Sequence, residues 1–360
     1  MDPQAPQQPP QDTVQATAVE QKPPAPAAPR RRTRPLAVLL LLALLLGLFG
    51  SVMLNLLLVA ATGLGSLETD RKVQEKFFSH NKRSRNKVAI ITLSGTIING
   101  EGYIKRQIDR AKKDKNLKAV VLRIDSPGGT ITGSDSIYHQ LRELEEESEI
   151  PLVVSMGGLA ASGGYYVAMA CGDTPQCIFA EPATWTGSIG VIIPHYNLAG
   201  LMEDFGIQED SVTSHPLKGM GSFAKPMTEQ ERKIFQELVD EGFTQFKDVI
   251  KYGRPKFKKD PEALDKLATG QIYTARQAER NGLVDRIGFL AAAVDRAIEL
   301  ADLEQDDVKV VRYKREPNLA DMLLGAQAGK QPFDLAQMLE MTAPRAYYLC
   351  TWLPPLSSSP

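Results

Sequence analysis

Residues 157–166 read Gly-Gly-Leu-Ala-Ala-Ser-Gly-Gly-Tyr-Tyr, and they place one hydroxyl group, that of Ser162, between small residues. The pattern predicts a turn from a strand into a buried helix that continues from Tyr165 to Ala170. Ser162 would then lie at the helix N-terminus, where free backbone N–H groups and the helix dipole favour a developing anion. Turns of this composition are also common packing devices, so this stretch alone leaves both interpretations open.

A second stretch favours a functional site. Residues 120–129 read Val-Val-Leu-Arg-Ile-Asp-Ser-Pro-Gly-Gly, which is typical of a buried strand that ends abruptly in a turn. If the N–H groups of Gly128 and Gly129 point to one place, they form an oxyanion hole, in which each donor contributes about 3 to 4 kcal/mol of transition-state stabilisation. A plain Pro-Gly turn is the alternative.

Together with three further motifs, these stretches resemble the signal peptide peptidase A (SppA) family of membrane serine peptidases, in its short single-repeat form. The resemblance covers about residues 87–303. The five motifs, in chain order, are Asp-Ser-Pro-Gly-Gly at 125–129, Met-Gly-Gly-Leu-Ala-Ala-Ser-Gly-Gly-Tyr-Tyr at 156–166, Thr-Gly-Ser-Ile-Gly-Val at 186–191, the segment around Lys218, and Gly-Gln-Ile-Tyr-Thr-Ala-Arg-Gln-Ala at 270–278 followed by Gly-Leu-Val-Asp at 282–285. The resemblance implies a Clp protease/crotonase-like layered α/β fold with a mostly parallel sheet.

The resemblance also implies the catalytic roles. Ser162 matches the nucleophile of a Ser-Lys dyad and Lys218 matches its base, while Ser188 matches a hydroxyl that orients the lysine amine. The oxyanion would be held by the N–H group of Gly163 together with one of the glycine pair at 128–129. The implied activity is that of a serine endopeptidase acting on remnant signal peptides or other apolar peptides.

The residues alone leave the identity of the base open. Histidine is the usual base in serine peptidases, and a Ser-His-Asp triad that uses His195 or His215 is the alternative to the dyad. A lysine can serve as a base only when it is neutral. Its ordinary pKa near 10.4 must then fall by about three units, which requires removal from water.

The N-terminal part predicts a membrane anchor. Residues 36–62 contain no charged side chain, and about 20 apolar residues suffice to cross a bilayer. Residues 30–34 read Arg-Arg-Arg-Thr-Arg, so the positive-inside rule places the tail in the cytoplasm and the rest of the chain outside it. A cleaved signal peptide is the alternative, but its apolar region is normally shorter. We therefore expect a single-pass protein of the bacterial cytoplasmic (inner) membrane with an extracytoplasmic catalytic domain.

The composition divides the chain into five parts. Residues 1–35 are rich in Pro, Gln and Ala and predict a disordered cytoplasmic tail, which precedes the anchor. Residues 63–86 are charged and predict a helical or flexible stalk. Residues 87–303 form the predicted peptidase domain, and residues 304–360 form an extension of unknown role whose last residues are apolar.

Within the peptidase domain, short β-branched runs alternate with amphipathic stretches, which favours βαβ crossovers and a mostly parallel sheet. The predicted strands are 88–93, 119–124, 152–155, 178–180 and 188–193, and the predicted helices are 103–113, 134–147 and 228–252. In the extension, a strand is predicted at 308–313 and short helices at 319–324 and 333–341.

Two cysteines distinguish this chain from the family pattern. Cys171 and Cys177 lie in a short inserted loop, and Cys350 has no obvious partner. A disulfide between the first two depends on the compartment, since such bonds persist outside the cytoplasm. Two thiols alone do not make a zinc site.

Charge and motif content exclude several other classes. The net charge is −1 and 24% of the residues are charged. The sequence therefore gives no sign of a basic surface that would bind nucleic acid. Neither a phosphate loop nor a metal-ligand cluster is present in the sequence, and we expect no metal and no cofactor. Two alternatives remain beside the peptidase: a catalytically silent membrane ring scaffold and a crotonase-like acyl-CoA enzyme.

The resemblance implies that several copies form a homo-oligomeric ring, in which the serine of one subunit meets the lysine of its neighbour. Ser162 and Lys218 should then be too far apart within one chain to form a hydrogen bond.

Overall fold

The computed structural model describes residues 39, 41–54, 73–315 and 347–349, and the chain divides into two compact units, Met1–Gly65 and Ser66–Pro360. In the first unit, residues 41–54 are helical and their side chains are exposed. Within the described ranges, no helix is both long enough and apolar enough to cross a membrane. The anchor at 36–62 extends beyond the described residues and stays a prediction.

The second unit is built on a mixed sheet. The strands are β1 (Val73–His80), β2 (Lys87–Ser94), β3 (Leu117–Ser126), β4 (Gly128–Thr130), β5 (Leu152–Ala161), β6 (Ile178–Ala180), β7 (Trp185–Gly187), β8 (Ile272–Thr274), β9 (Arg286–Ile287), β10 (Lys309–Arg315) and β11 (Tyr347–Leu349). The main sheet has the order β1-β10-β2-β3-β5-β6-β9, with β7 paired to β5 and β8 paired to β7. Strands β4 and β11 form a separate antiparallel pair.

Helices cover the sheet. They are α1 (Tyr103–Lys112), α2 (Ile131–Ser148), α3 (Gly163–Ala168), α4 (Ala199–Asp204), α5 (Glu229–Gly253), α6 (Pro255–Lys259), α7 (Pro261–Leu267), α8 (Ala275–Asn281) and α9 (Leu290–Leu300). The long helix α5 begins with a capping box in which Thr228 accepts a hydrogen bond from the Glu231 N–H group and Glu231 accepts one from that of Thr228.

The centre of the sheet is parallel and buried on both faces. Four residues lie side by side across β2, β3, β5 and β6 and are fully buried: Ile91, Leu122, Val154 and Ile178. The opposite face packs against α9 through neighbouring residues such as Val121. Parallel sheets are typically covered in this way, because their crossover helices lie on the two faces. The prediction of an α/β fold with a mostly parallel sheet is confirmed.

Two strand predictions differ from the structure around the site. β5 continues to Ala161 rather than ending at Ser155, because its second half pairs with β7 instead of β6. The strand predicted at 188–193 is wrong, since the extended residues are Trp185–Gly187. Gly187 and Ser188 both have positive φ, 85° and 51°, which turns the chain out of the sheet there.

The prediction of a helical or flexible stalk is wrong for Val73–His80. These residues form β1, which pairs antiparallel with β10 at the edge of the sheet. β10 itself confirms the strand predicted at 308–313. The backbone hydrogen bonds of a sheet edge thus order a charged segment that lacks an apolar pattern of its own. The short helices predicted at 319–324 and 333–341 lie outside the described residues.

Candidate active site

Ser162 occupies a strained turn between β5 and α3. Its φ and ψ are 55° and −117°, and its N–H group donates to the Gly187 carbonyl at 2.7 Å. The side chain is fully buried, and among the residues that the structure describes its Oγ has no hydrogen-bond partner. Strain in a non-glycine residue and an unsatisfied buried hydroxyl are both costly, and both concentrate at functional sites.

Three glycines converge beside this serine. A Cβ atom on Gly128 would lie 2.5 Å from the Gly163 nitrogen, and a Cβ atom on Gly163 would lie 3.1 Å from the Gly129 nitrogen. A side chain at these positions would therefore fill the space next to the amides. The Gly128 N–H group donates to Ser126 Oγ at 3.1 Å. Because the N–H group of Gly128 is engaged in this way, the N–H groups of Gly129 and Gly163 are the pair better placed to stabilise an oxyanion.

Ser188 follows the end of the strand next to the one that leads to Ser162. Ala161 and Gly187 are paired across β5 and β7, so Ser162 and Ser188 both follow directly after neighbouring strand ends. Ser188 is 7% exposed, and its N–H group donates to the Gln271 carbonyl at 2.7 Å. Its position next to Ser162 is suited to orienting a basic side chain that approaches this hydroxyl.

Lys218 lies in a different environment. It belongs to a single 3₁₀ turn, Pro216–Gly219, which buries none of its residues, and Lys218 itself is exposed. Because the Ser162 hydroxyl has no partner among the described residues, this lysine makes no hydrogen bond with it in the single chain. The structure thus brings together five of the six predicted site residues, namely Ser162, Ser188, Gly128, Gly129 and Gly163, but leaves the predicted base, Lys218, on the surface.

The two histidines considered as alternative bases also form other contacts. His195 Nε2 lies 3.2 Å from the Ser222 carbonyl oxygen, and His215 Nδ1 accepts a hydrogen bond of 3.2 Å from the Leu217 N–H group. Neither histidine reaches Ser162 Oγ within one chain. Among the residues that the structure describes, which include all four histidines, there is therefore no Ser-His pair at this serine.

Two tyrosines that follow Ser162 hold α3 in place, a role that the sequence analysis missed. The Tyr165 hydroxyl donates to the Leu283 carbonyl at 2.7 Å, and the Tyr166 hydroxyl donates to Asp135 Oδ1 at 2.6 Å. Burial raises the pKa of both phenols, so they remain protonated donors. The Tyr-Tyr pair directly after Gly-Gly was the available signal for this anchoring.

The last family motif is a structural clamp. Asp285 accepts two hydrogen bonds from the Arg254 guanidinium, at 2.9 and 2.7 Å, and a third from the Ile178 N–H group at 2.9 Å. Burial alone would lower the pKa of Arg254, but its hydrogen bonds to Asp285 raise it. The pair ties the end of α5 to β6 and thus supports the sheet beneath the site.

Cys171 and Cys177 are joined by a disulfide and are both fully buried. The bond links the 3₁₀ turn after α3 to the residue before β6. In the described part of the chain, no cluster of three or more His, Cys, Asp or Glu side chains is placed to hold a metal ion.

The fold and this site define an α/β protein with a buried serine next to converging backbone amides, an arrangement that acyl-transfer enzymes use. The sequence profile of Peptidase family S49 matches residues 145–304. Since two relatives more than 30% identical to the chain are covered over more than two thirds of their length, the chain belongs to the SppA family of peptidases.

The relatives differ in length. The putative protease slr0021 of Synechocystis is 36% identical over 248 residues, which are 69% of this chain and 86% of that protein. The putative signal peptide peptidase SppA of Enterococcus faecium is 34% identical over 259 residues, 70% of this chain and 72% of the relative. Protease 4 of Salmonella typhi is 34% identical over 266 residues, 71% of this chain but only 41% of the relative.

Proposed function

We propose that this chain is a membrane-anchored serine endopeptidase that uses Ser162 as its nucleophile and Lys218 of a neighbouring copy as its base. One observation carries the proposal: the Ser162 hydroxyl is fully buried, has no hydrogen-bond partner in the described chain and lies beside the amides of Gly129 and Gly163. Membership of a peptidase family supports the peptide bond as the target.

The proposed chemistry has two halves. Ser162 Oγ attacks the carbonyl carbon of the scissile bond while Lys218 Nζ takes its proton, and the amides of Gly129 and Gly163 stabilise the oxyanion. The tetrahedral intermediate then expels the amine, which receives the proton from Lys218. Water, activated by the same lysine, hydrolyses the acyl-enzyme and restores the serine. Ser188 orients the amine throughout.

The exposed segment around Lys218 supports a base shared between subunits. Many of its large apolar side chains are exposed to solvent: Tyr196, Leu198, Leu201, Phe205, Ile207, Val212 and Phe223. An apolar surface of this kind is typical of a protein interface. Burial against a second copy would also remove Lys218 from water, which its action as a neutral base requires. We therefore propose a homo-oligomeric ring with active sites between subunits.

The proposed location and the proposed substrate class are supported by other features of the chain. The uncharged stretch 36–62 after a run of arginines supports a single-pass anchor with the catalytic domain outside the cytoplasm. The disulfide between Cys171 and Cys177 supports the same compartment. The printed name of the Enterococcus faecium relative, a putative signal peptide peptidase, supports remnant signal peptides or other apolar peptides as substrates.

The test uses the purified full-length protein and a fluorophosphonate probe. We expect the probe to label the wild type and the Ser211→Ala control, whose serine is exposed, but not Ser162→Ala. Hydrolysis of an apolar peptide should fall by at least about 10³-fold in Ser162→Ala and in Lys218→Ala. Labelling that persists in Ser162→Ala, or full activity of Lys218→Ala, would refute the assignment.

The same experiment separates the alternatives. A folded, oligomeric protein with neither labelling nor hydrolysis would indicate a silent scaffold. Turnover of an acyl-CoA thioester without peptide hydrolysis would indicate a crotonase-like enzyme.

A further inference from the structure

The two strands at one edge of the main sheet, β1 and β10, carry three cations on the same face. Lys76 of β1 and Arg312 of β10 lie directly opposite each other in the antiparallel pair, and Lys314 lies two residues further along β10, opposite Gln74. Because residues two apart on a strand point to the same side, all three cations share one face of the sheet. Lys76 and Lys314 are exposed.

These cations lack a counter-charge in the described part of the chain. None of the three forms an ion pair with a carboxylate, and the Arg312 Nε atom is buried without a hydrogen-bond partner. The one acidic residue of the two strands, Glu75, points to the opposite face, where it forms ion pairs with Lys87 and Arg110. The face that carries the three cations therefore has an unbalanced positive charge.

Arg312 lies close to an aromatic ring and to a second guanidinium group. Phe78 is the extra residue of a bulge in β1 and is 39% exposed, and its ring centroid lies 4.7 Å from Arg312 Cζ. Burial lowers the pKa of Arg312, and the positive charge of Arg123 lowers it further. Arg123 has a counter-ion, Glu181, at 2.7 Å. A phosphate group would supply the charge that Arg312 lacks, because guanidinium and phosphate groups match in charge and geometry.

The chain enters this domain beside the same cations. β1 begins at Val73, which pairs with Arg315 at the end of β10, so the first residues of β1 lie next to Lys314. Ten residues, 63–72, separate β1 from the predicted anchor at 36–62. A segment of this length spans at most about 35 Å when it is fully extended. With the anchor in a bilayer, this end of the edge strands therefore stays near the lipid surface.

We propose that the face formed by Lys76, Phe78, Arg312 and Lys314 docks on the membrane surface and binds the phosphate groups of anionic phospholipids. The proposal rests on the anchor included in the proposed function, because the anchor brings this face to the bilayer. Each lysine or arginine near a negatively charged membrane adds to the attraction, so anionic lipid is favoured over neutral lipid. The exposed Phe78 ring suits the boundary between headgroups and acyl chains, where apolar side chains of interfacial segments insert.

The test follows one added tryptophan in the full-length protein reconstituted into vesicles. Phe78→Trp keeps an aromatic ring beside Arg312, and comparison with the parent protein subtracts the signal of Trp185 and Trp352. The vesicles contain phosphatidylcholine alone or phosphatidylcholine mixed with phosphatidylglycerol. In both, part of the phosphatidylcholine carries bromine atoms near the headgroup end of its acyl chains, and bromine quenches tryptophan fluorescence on contact.

We expect the added tryptophan to be quenched at least about 2-fold more strongly in the vesicles that contain phosphatidylglycerol. Raised ionic strength should remove this difference, because salt screens the attraction. Tyr252→Trp, at an exposed aromatic residue near the end of α5, should be quenched equally in both kinds of vesicle. Quenching at position 78 that does not depend on the anionic lipid would overturn the proposal.

Removal of the charges gives a matched comparison. In the Phe78→Trp protein, the triple variant Lys76→Gln/Arg312→Gln/Lys314→Gln should abolish the additional quenching. The double variant Lys76→Gln/Lys314→Gln, which changes only exposed side chains, should lose at least about half of it and serves if the triple variant does not fold. The control removes three exposed lysines of α6 and α7 and should retain the additional quenching: Lys258→Gln, Lys259→Gln and Lys266→Gln. An equal loss in this control would also overturn the proposal.

The two proposals can fail separately. Protein that alkaline carbonate extracts from the vesicles would refute the anchor, whereas quenching that requires phosphatidylglycerol would still support the lipid-binding face. Protein that resists extraction and is labelled at Ser162 by the fluorophosphonate probe, but whose quenching ignores phosphatidylglycerol, would refute the lipid-binding face and leave the proposed function intact.

Discussion

The proposed nucleophile, Ser162, and the proposed base, Lys218, lie in two contrasting regions. The nucleophile region, residues 152–171, runs through the core, and Ser162, Tyr165 and Tyr166 are all fully buried. The base-bearing region, residues 194–225, lies at the surface, and its helix α4 buries none of its residues. Tyr196 is 74% exposed and Val212 is fully exposed.

This difference supports the proposed division of the site between subunits. A single folded chain positions the serine and its oxyanion donors, because they are built from the core strands β4 and β5 and from α3. The same chain does not shield Lys218 from water, which a lysine base requires. Activity should therefore depend on assembly, while the nucleophile half should be preformed in every chain.

The largest expected effect comes from dividing the dyad between chains. Ser162→Ala and Lys218→Ala should each lose at least about 10³-fold in peptide hydrolysis. When the two variants are co-expressed, about a quarter of the interfaces in a ring join an intact serine to an intact lysine, so about a quarter of the wild-type activity should return. The measurement is kcat/KM of the mixed oligomer. No recovery would mean that each active site belongs to one chain, and the contrast between the regions would lose its functional meaning.

A charge on the exposed region should separate assembly from folding. Phe205 is 74% exposed, and Phe205→Glu should convert the oligomer to smaller species and lower activity by about 10- to 100-fold, because a buried carboxylate opposes association. The midpoint of thermal unfolding should change little. Light scattering reports the assembly. The matched control is Phe289→Glu, at another exposed phenylalanine, which should remain assembled and active.

Removal of the disulfide tests how much it contributes to the stability of the buried region that carries Ser162. Replacing Cys171 and Cys177 by serine should lower the free energy of unfolding by about 2 kcal/mol, since the cross-link restricts the unfolded chain. Denaturant titration with and without a reductant measures this. The wild type should lose stability when reduced, whereas the double variant should not respond. A wild type that is insensitive to a reductant able to reach the bond would contradict the expectation.

The smallest effect concerns an ion pair between the start of β2 and the loop that precedes β3. Asp114 forms an ion pair of 2.7 Å with Lys87. Burial alone would raise the pKa of Asp114, but the hydrogen bond from Lys87 holds this pKa below the ordinary aspartate value of 3.8. Its stabilisation is therefore complete above that value and is lost as the pH falls through the lower pKa of the folded state. Asp114→Asn should lower the unfolding free energy at pH 7 by about 1 kcal/mol and reduce its decline in acid.

Local patterns predicted the central fold well. The strand at 178–180 was located to the residue, and the helix predicted at 228–252 is observed at Glu229–Gly253, with Thr228 as its capping residue. Both reflect short-range physics, namely the β propensity of Ile178 and Phe179 and, at the start of α5, the cap hydrogen bonds of Thr228. The prediction failed for β1, since a charged strand at an edge is ordered by its partner β10, which follows more than 200 residues later in the chain.

The amino-acid sequence by itself determined the family, the parallel α/β core and the small residues that surround Ser162, because motif order, hydrophobic period and glycine content are properties of the chain as written. Only the tertiary structure decided which glycine amide remains available, how Tyr165 and Tyr166 anchor the nucleophile helix, and that Tyr348 lies against Gly129. These are contacts between distant segments, and their geometry depends on how the strands and helices pack rather than on any local pattern.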